Sequence, residues 1–228
     1  MIEAPRRTKV EQREATTRTL LAVARDVFAR QGYARASTEE IVRRANVTRG
    51  ALYHHFGSKE GLFAAVVEDV QRDVARRIET AAGRTDDGWE QLLDGCRAFL
   101  ATSTDPHMQR IMLVDAPAVL GWEAWRRMDA EHSMKLLTGL LDRLVAAGVI
   151  APLPVAALAH LLSGAMNEAA LWIARSEVPD QALDEAAGTL ERLLGALPGA
   201  NGPRQGGRSD GKGPFARGAR SVRERPAS

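Results

Sequence analysis

Residues 48–59 concentrate side chains whose chemistry suits contacts with nucleic acid. Arg49 carries a planar guanidinium that can donate two hydrogen bonds to one guanine edge, and Gly50 lets a backbone approach closely. Tyrosine, histidine and threonine side chains can bond phosphate oxygens, as can a lysine at a helix N-terminus. The candidate DNA-binding residues are Thr38, Thr48, Arg49, Gly50, Tyr53, His54, His55 and Lys59. This set predicts a surface that reads base edges and holds double-stranded DNA.

Short helices must position these side chains. Ser37 precedes Glu40 with the spacing of a capping box, so a helix is predicted from there to about Ala45. Residues 46–47 form the turn, and Thr48 caps a second helix whose apolar residues face inward. In a helix-turn-helix of this kind the second helix enters the major groove of DNA. Further helices are predicted from about residue 16 to 31 and from 59 to about 82.

The order and spacing of these residues resemble the N-terminal domain of the TetR family of bacterial transcriptional regulators. The resemblance covers residues 16–63 and is carried by Phe28, Gly32, Tyr33, Ser37, Thr38, Ile41, Ala45, Val47, Gly50, Leu52, Tyr53, His55, Phe56, Ser58, Lys59, Glu60 and Leu62. Asn46 stands where the family usually has glycine, and asparagine tolerates the left-handed backbone of such a turn. The resemblance implies a homodimer that reads a palindromic operator and a C-terminal domain whose small-molecule ligand usually releases DNA. Repression is the more common outcome in this family, and activation or non-specific architectural binding stays open.

The charge distribution agrees with a DNA-facing head on a separate body. Residues 1–62 hold 12 Lys and Arg against 7 Asp and Glu, whereas residues 63–198 hold 12 against 20. A basic segment favours contact with nucleic acid, and an acidic one disfavours it. Residues 199–228 are basic again and rich in glycine, so they predict a disordered tail that is either a solvated segment or a source of non-specific DNA affinity.

The rest of the chain shows helical apolar periodicity and no alternating strand pattern, which predicts an all-α fold. The predicted division is a flexible arm (1–12), a helix-turn-helix domain (13–60), a helical ligand-binding and dimerisation domain (61–198) and the basic tail (199–228). Beyond residue 88, a helix is expected to about 102. A short one follows to about 115 and is interrupted by Pro117. A long one is expected from about 122 to 147, and the last two helices span about 155–176 and 180–197.

Two functional surfaces are predicted in the second domain. The last two helices are expected to form the dimer, although their periodicity fits an intramolecular core equally well; the candidates are Leu158, Leu162, Ala165, Ala169, Leu183, Leu190 and Leu194. Helices between about 88 and 147 are expected to enclose a largely apolar effector site. Its candidate lining residues are Phe99, His107, Met112, Trp122, Trp125, Met128, His132 and Asn167. Ligand there is expected to tilt the fourth helix and misplace the DNA-reading helices.

Other function classes find little support in the sequence. The histidines at 107, 132 and 160 lack a close ligand spacing such as HxxxH, so neither a metal nor another cofactor is expected. No nucleophile elbow, phosphate loop or dinucleotide fingerprint indicates an enzyme. Cys96 is the single cysteine and lies in an apolar-periodic helix, which favours an inert buried thiol. The polar N-terminus and the lack of a membrane-length apolar run predict a cytoplasmic protein.

Overall fold

The computed structural model describes residues 8–197 and residue 199, and this part of the chain is all-α, as predicted. A π-helical segment, Arg110–Asp115, separates α6 from α7. The helices are α1 (Lys9–Gln31), α2 (Thr38–Arg44), α3 (Arg49–Phe56), α4 (Lys59–Ala82), α5 (Gly88–Ser103), α6 (Pro106–Gln109), α7 (Ala116–Leu120), α8 (Trp122–Glu131), α9 (Ser133–Ala146), α10 (Val155–Ile173) and α11 (Pro179–Leu194).

The helices α1 to α3 and the start of α4 form a head, whose buried side chains belong to one apolar core that continues into the body. Side chains with no exposed surface meet there from all four helices, and their aromatic rings pack edge to face. The fully buried residues are Leu20, Ala24, Val27, Phe28, Ile41, Leu52, Leu62 and Phe63. Asp26 adds a polar link because it binds Arg30 at 2.7 Å and Arg44 of α2 at 2.6 Å. The head therefore holds α3 in a fixed orientation.

The first helix is longer than the sequence pattern predicted. It begins at Lys9 rather than near Thr16, because Thr8 and Glu11 form a complete capping box in which each side chain accepts the other's backbone N–H. Residues 9–12 therefore belong to α1 and not to a flexible arm. Residues 1–7 and the predicted tail, except Gly199, lie outside the described part of the chain.

Two predictions for the body are wrong. The helical conformation is not interrupted at Pro117. Proline fits there because it is the second residue of α7, and a backbone N–H in the first turn of a helix has no partner within that helix. The predicted long helix is broken into α8 and α9 at His132, whose backbone angles (φ −121°, ψ −105°) are far from helical. At this break, His132 Nε2 lies 2.8 Å from a carboxylate oxygen of Glu68 on α4.

The π-helical segment is where the body contacts the end of α1. Asp115 accepts a hydrogen bond from the backbone N–H of Tyr33 at 2.8 Å, and Arg110 donates to the carbonyl of Arg30 at 3.0 Å. Gly32 has φ 76°, and a Cβ on it would lie 3.4 Å from the Asp115 carboxylate. This joint ties the body to the head independently of the covalent path along α4.

Candidate DNA-binding surface and inner cavity

The predicted DNA-reading helix α3 is oriented by its N-cap, its turn and its buried residue. Thr48 Oγ1 accepts the backbone N–H of Ala51 at 3.1 Å and so fixes the start of the helix. Asn46 makes the preceding turn with φ 53°, a left-handed conformation that asparagine tolerates. Leu52 is fully buried, so the opposite side of α3 faces away from the head. The outward positions are Thr48, Arg49, Gly50, Tyr53 and His54.

Arg49 is held at the surface by two neighbours. Its guanidinium lies 3.3 Å from a Glu39 carboxylate oxygen and donates a 3.4 Å hydrogen bond to the Tyr53 hydroxyl. The charge also lies 5.4 Å from the centroid of the Tyr53 ring. Both partners are themselves exposed, so water competes for these contacts and they hold the side chain only weakly. Arg49 can therefore exchange Glu39 for a base edge.

Three of the predicted DNA-binding residues are less accessible. His55 is half-buried, with Nδ1 3.2 Å from the Thr17 hydroxyl of α1, and burial together with the nearby Arg13 and His54 lowers its pKa. Its imidazole is therefore neutral at neutral pH and offers one ring donor.

The other two residues frame the reading helix. Lys59 lies with its Nζ 4.4 Å from the Tyr33 ring centroid, and burial lowers its pKa. Thr38 is mostly covered, and its hydroxyl donates to Glu39 at 3.3 Å. A phosphate contact by Thr38 thus requires its hydroxyl to leave Glu39.

An inner cavity of about 300 Å³ lies in the body between α4, α5, α8, α9 and α10. Its walls are largely apolar, with Leu92, Phe99, Met134, Leu137, Leu140 and Met166. Ile78, Glu79 and Ala82 from the last turns of α4 complete one side. Glu79, Gly83 and Arg143 are exposed and mark the mouth, whereas Asp129 and Ser163 are buried and mark the closed end.

A second, outer cleft of about 560 Å³ lies between α8 and α10. Its wall includes Trp122 and Trp125, whose ring centroids are 4.9 Å apart, as well as Arg126, His160 and Asn167. Trp122 is 61% exposed, so one wall of this cleft faces solvent.

The predicted effector residues are divided between these two sites. Phe99 lines the inner cavity, and Trp122, Trp125 and Asn167 line the outer cleft. The remaining four lie elsewhere: Met112 is in the core, Met128 packs beside the core, His132 binds Glu68 and His107 is exposed. The residues of the closed end, Asp129 and Ser163, were missed because a lone aspartate and serine carry no distinctive spacing.

Comparison with known proteins decides the family. Residues 20–66 match the bacterial regulatory proteins of the tetR family, and residues 89–197 match the C-terminal domain of tetracyclin repressor-like proteins. A TetR-family transcriptional regulator of known structure from Pectobacterium atrosepticum is 40% identical, covers 84% of this chain and 98% of its own, and superposes with a TM-score of 0.70. The chain belongs to the TetR family.

Relatives at lower coverage agree with this assignment. The transposon Tn10 TetC protein from Escherichia coli is 26% identical over 154 residues, which are 68% of this chain and 78% of TetC. The A-factor receptor protein of Streptomyces griseus is 48% identical over 54 residues, which are 24% of this chain and only 20% of that protein. TetR-family regulators are DNA-binding proteins rather than enzymes, form dimers and bind small-molecule ligands. Among the described residues, no helix is long and apolar enough to cross a membrane.

The dimerisation candidates of this TetR-family chain divide between its own core and its surface. Leu162, Leu190 and Leu194 are buried within the protomer, so they pack against its own helices and the interface prediction is revised for them. Leu158, Ala169 and Leu183 are half-buried, and Ala165 is exposed. The most exposed large apolar side chains of α10 and α11 are Leu161, Trp172 and Leu193, at 72%, 48% and 64%.

Proposed function

We propose that this TetR-family regulator is a repressor that binds a palindromic operator as a homodimer and is released by a small molecule in the inner cavity. One observation carries the proposal. The helix α4 runs without interruption from Lys59, beside the reading helix, to Ala82, and its last turns line the cavity. A ligand that displaces those turns therefore also displaces the end of α4 that supports α3.

The outward face of α3 supports sequence-specific reading. Arg49 stands at the first turn, where a major-groove helix meets base edges, and its guanidinium fork matches guanine O6 and N7. Tyr53 and His54 follow on the same exposed face and can bind phosphate oxygens, which fixes the register of the helix on DNA. A helix that served only to pack the head would not need this concentration of exposed donors.

Release by a ligand requires that the ligand prefer the DNA-incompetent arrangement. The inner cavity is lined by α4 on one side and by residues next to the α8–α9 break on the other, and Glu68 of α4 contacts His132 at this break. A ligand that widens the space between them is expected to move α4 relative to the head. By reciprocity, operator DNA must then weaken binding of the ligand by the same factor.

The outer faces of α10 and α11 support the homodimer. Leu161, Ala165 and Trp172 lie along one side of α10, and Leu193 lies on α11. Exposed apolar side chains in such a row are typical of a surface that a partner covers. We expect Leu161→Asp combined with Leu193→Asp to give monomers in light scattering, whereas Val114→Asp, at another exposed apolar position, should leave the dimer intact. Monomers in both variants, or dimers in both, would contradict this interface.

The decisive experiment is fluorescence anisotropy of the purified protein on DNA from upstream of its own gene and on a scrambled duplex. We expect at least about 10³-fold preference for the operator. Arg49→Ala should reduce that preference, and Arg72→Ala is the matched control because Arg72 is exposed on α4. Equal, steeply salt-dependent binding to the two duplexes calls for selection from a random-sequence library. A library that also yields no preferred sequence would contradict the proposal in favour of an architectural DNA-binding protein.

The sign of regulation needs a second measurement. A reporter gene placed behind the operator should be silent with the protein and active without it. Higher expression in the presence of the protein would identify an activator with the same DNA-binding geometry.

A further inference from the structure

The closed end of the inner cavity is a built polar site, whereas most of the other lining side chains are apolar. Asp129 and Ser163 both line the cavity and are each 6% exposed. Arg126 Nη1 donates to Asp129 Oδ2 at 2.7 Å and to the Ser163 hydroxyl oxygen at 3.3 Å, and its Nη2 lies 3.0 Å from His160 Nδ1. The serine and the aspartate are therefore held in place by one guanidinium.

The guanidinium of Arg126 lies on the side of α8 that faces the outer cleft. Arg126 and His160 line the outer cleft, whereas Asp129 and Ser163 line the inner cavity. A molecule in the inner cavity thus meets a carboxylate and a hydroxyl but not the arginine. A carboxylate has about four lone-pair sites, so the contacts with Arg126 and Ser163 leave Asp129 able to accept from a ligand. The Ser163 hydroxyl bonds Asp129 in the free protein, and it can turn its proton from Asp129 to a ligand.

The charge of this end selects among ligand head groups. The charge of Asp129 is already balanced by Arg126 at 2.7 Å, so a cationic ligand would add an uncompensated charge in a buried place. An anionic ligand would face the carboxylate directly, with the same penalty. Burial raises the pKa of Asp129 because the buried carboxylate loses solvation, and this is opposed chiefly by Arg126 and then by the hydrogen bond from Ser163. A neutral hydroxyl meets neither penalty and can both donate to Asp129 and accept from Ser163.

We infer that the effector of the inner cavity is a small, uncharged, largely apolar molecule with a hydroxyl group that binds Asp129 and Ser163. This inference rests on the proposed function, because it names the ligand class of the same cavity. The remaining lining is mainly aliphatic and aromatic and requires an apolar body. At about 30 Å³ for each water-sized group, a cavity of this volume holds about ten non-hydrogen atoms.

Four probes of matched shape test the head group by isothermal titration calorimetry on the full-length protein without DNA. They are para-propylphenol, para-propyltoluene, para-propylbenzoate and para-propylbenzylammonium. We expect the phenol to bind at least about tenfold more tightly than the toluene, since the toluene excludes water from Asp129 and Ser163 without offering a hydrogen bond in return. Tighter binding of the anion or the cation would overturn the inference, as would equal binding of phenol and toluene or no binding by any probe.

A pair of serine variants assigns the binding to this end of the cavity. Ser163→Ala should weaken the phenol by about 3- to 10-fold and leave the toluene unchanged. Ser103→Ala is the matched control, because Ser103 is also a buried serine but does not line the inner cavity. An equal loss in both variants, or no loss in Ser163→Ala, would refute the role of Ser163.

Operator anisotropy with the same probes separates this inference from the proposed function. Phenol binding without operator release would support the ligand class and contradict ligand-induced release. Release by the benzoate or the benzylammonium alone would support the proposed function and contradict the ligand class.

Discussion

The joint between body and head makes a quantitative prediction about Asp115. Its carboxylate accepts the backbone N–H of Tyr33 at 2.8 Å in a partly buried place, and no other acceptor for that N–H is evident in the described structure. Asp115→Ala removes the acceptor and leaves the donor near the body. Hydrogen bonds to charged groups contribute about 1.5–3 kcal/mol, so the free energy of unfolding should fall by about that amount. For a chain of this size, the midpoint temperature of thermal unfolding should drop by about 3–12 °C.

Two variants and two assays make this test specific. Asp115→Asn keeps an acceptor oxygen and should lose less stability than Asp115→Ala, while Asp142→Ala removes an exposed carboxylate of α9 and should change little. Thermal unfolding followed by circular dichroism gives the stability. Hydrogen exchange measured by mass spectrometry should show faster exchange at the Tyr33 amide in Asp115→Ala only. Unchanged exchange at Tyr33, or equal losses in the alanine and asparagine variants, would refute the reasoning.

Three further predictions concern single side chains. Arg49→Ala should reduce the preference for operator over scrambled DNA by about 5- to 150-fold, whereas Lys59→Ala should weaken both duplexes alike and lower the salt slope by about one. The hydrogen bonds from Arg44 and Arg30 lower the pKa of Asp26 in the folded protein. The stability that Asp26 contributes is therefore present above the unfolded carboxyl pKa of about 3.9 and is lost as the pH falls towards the lower pKa of the folded state. In Asp26→Asn, acid unfolding should lack this pH-dependent loss of stability. Burial raises the pKa of Cys96 to about 12, so iodoacetamide at pH 8 should label it in urea but not in the native protein.

The sequence predicted those helices whose ends carry local signals. Ser37, Thr48 and Ser58 each accept a backbone N–H at the start of a helix, and the predicted starts of α2, α3 and α4 agree with the structure. The capping box at Thr8 is an equally local signal. It was overlooked because the first turns of α1 are polar all round and offer no apolar periodicity.

The break at His132 and the π-helical segment have no such local signal. Residues 122–147 keep a continuous helical pattern across the break, and the contact that accompanies it is with Glu68, far away in the chain. In the π-helical segment the widened turn goes together with two contacts to the end of α1, through Arg110 and Asp115. Both features accompany tertiary contacts, which the periodicity of a single segment does not contain.

The sequence also did not show which side chains of an apolar helix point into the core and which point to solvent. Leu161 and Leu162 are adjacent leucines in the same pattern, yet the first is 72% exposed and the second 8% exposed. A helix that is apolar over most of its surface fits a core and an interface equally well, so spacing alone does not set its rotation. For the same reason, Phe99 and Trp125 were both predicted to line one site, whereas in the structure Phe99 lines the inner cavity and Trp125 lines the outer cleft.

The proposed release mechanism requires that a ligand in the body move a helix in the head. Two connections join the body and the head. The helix α4 lines the cavity with its last turns and begins in the head at Lys59, and Asp115 of the π-helical segment accepts the backbone N–H of Tyr33 at the end of α1. A ligand that moved α4 alone would shift one side of the head while the Asp115 contact restrained the other. The head would then rotate about that contact rather than translate. Rotation changes the direction in which α3 points, and two such helices in a dimer would no longer fit successive major grooves. On this argument, Asp115→Ala should weaken effector-induced release of DNA more than it weakens binding of either ligand.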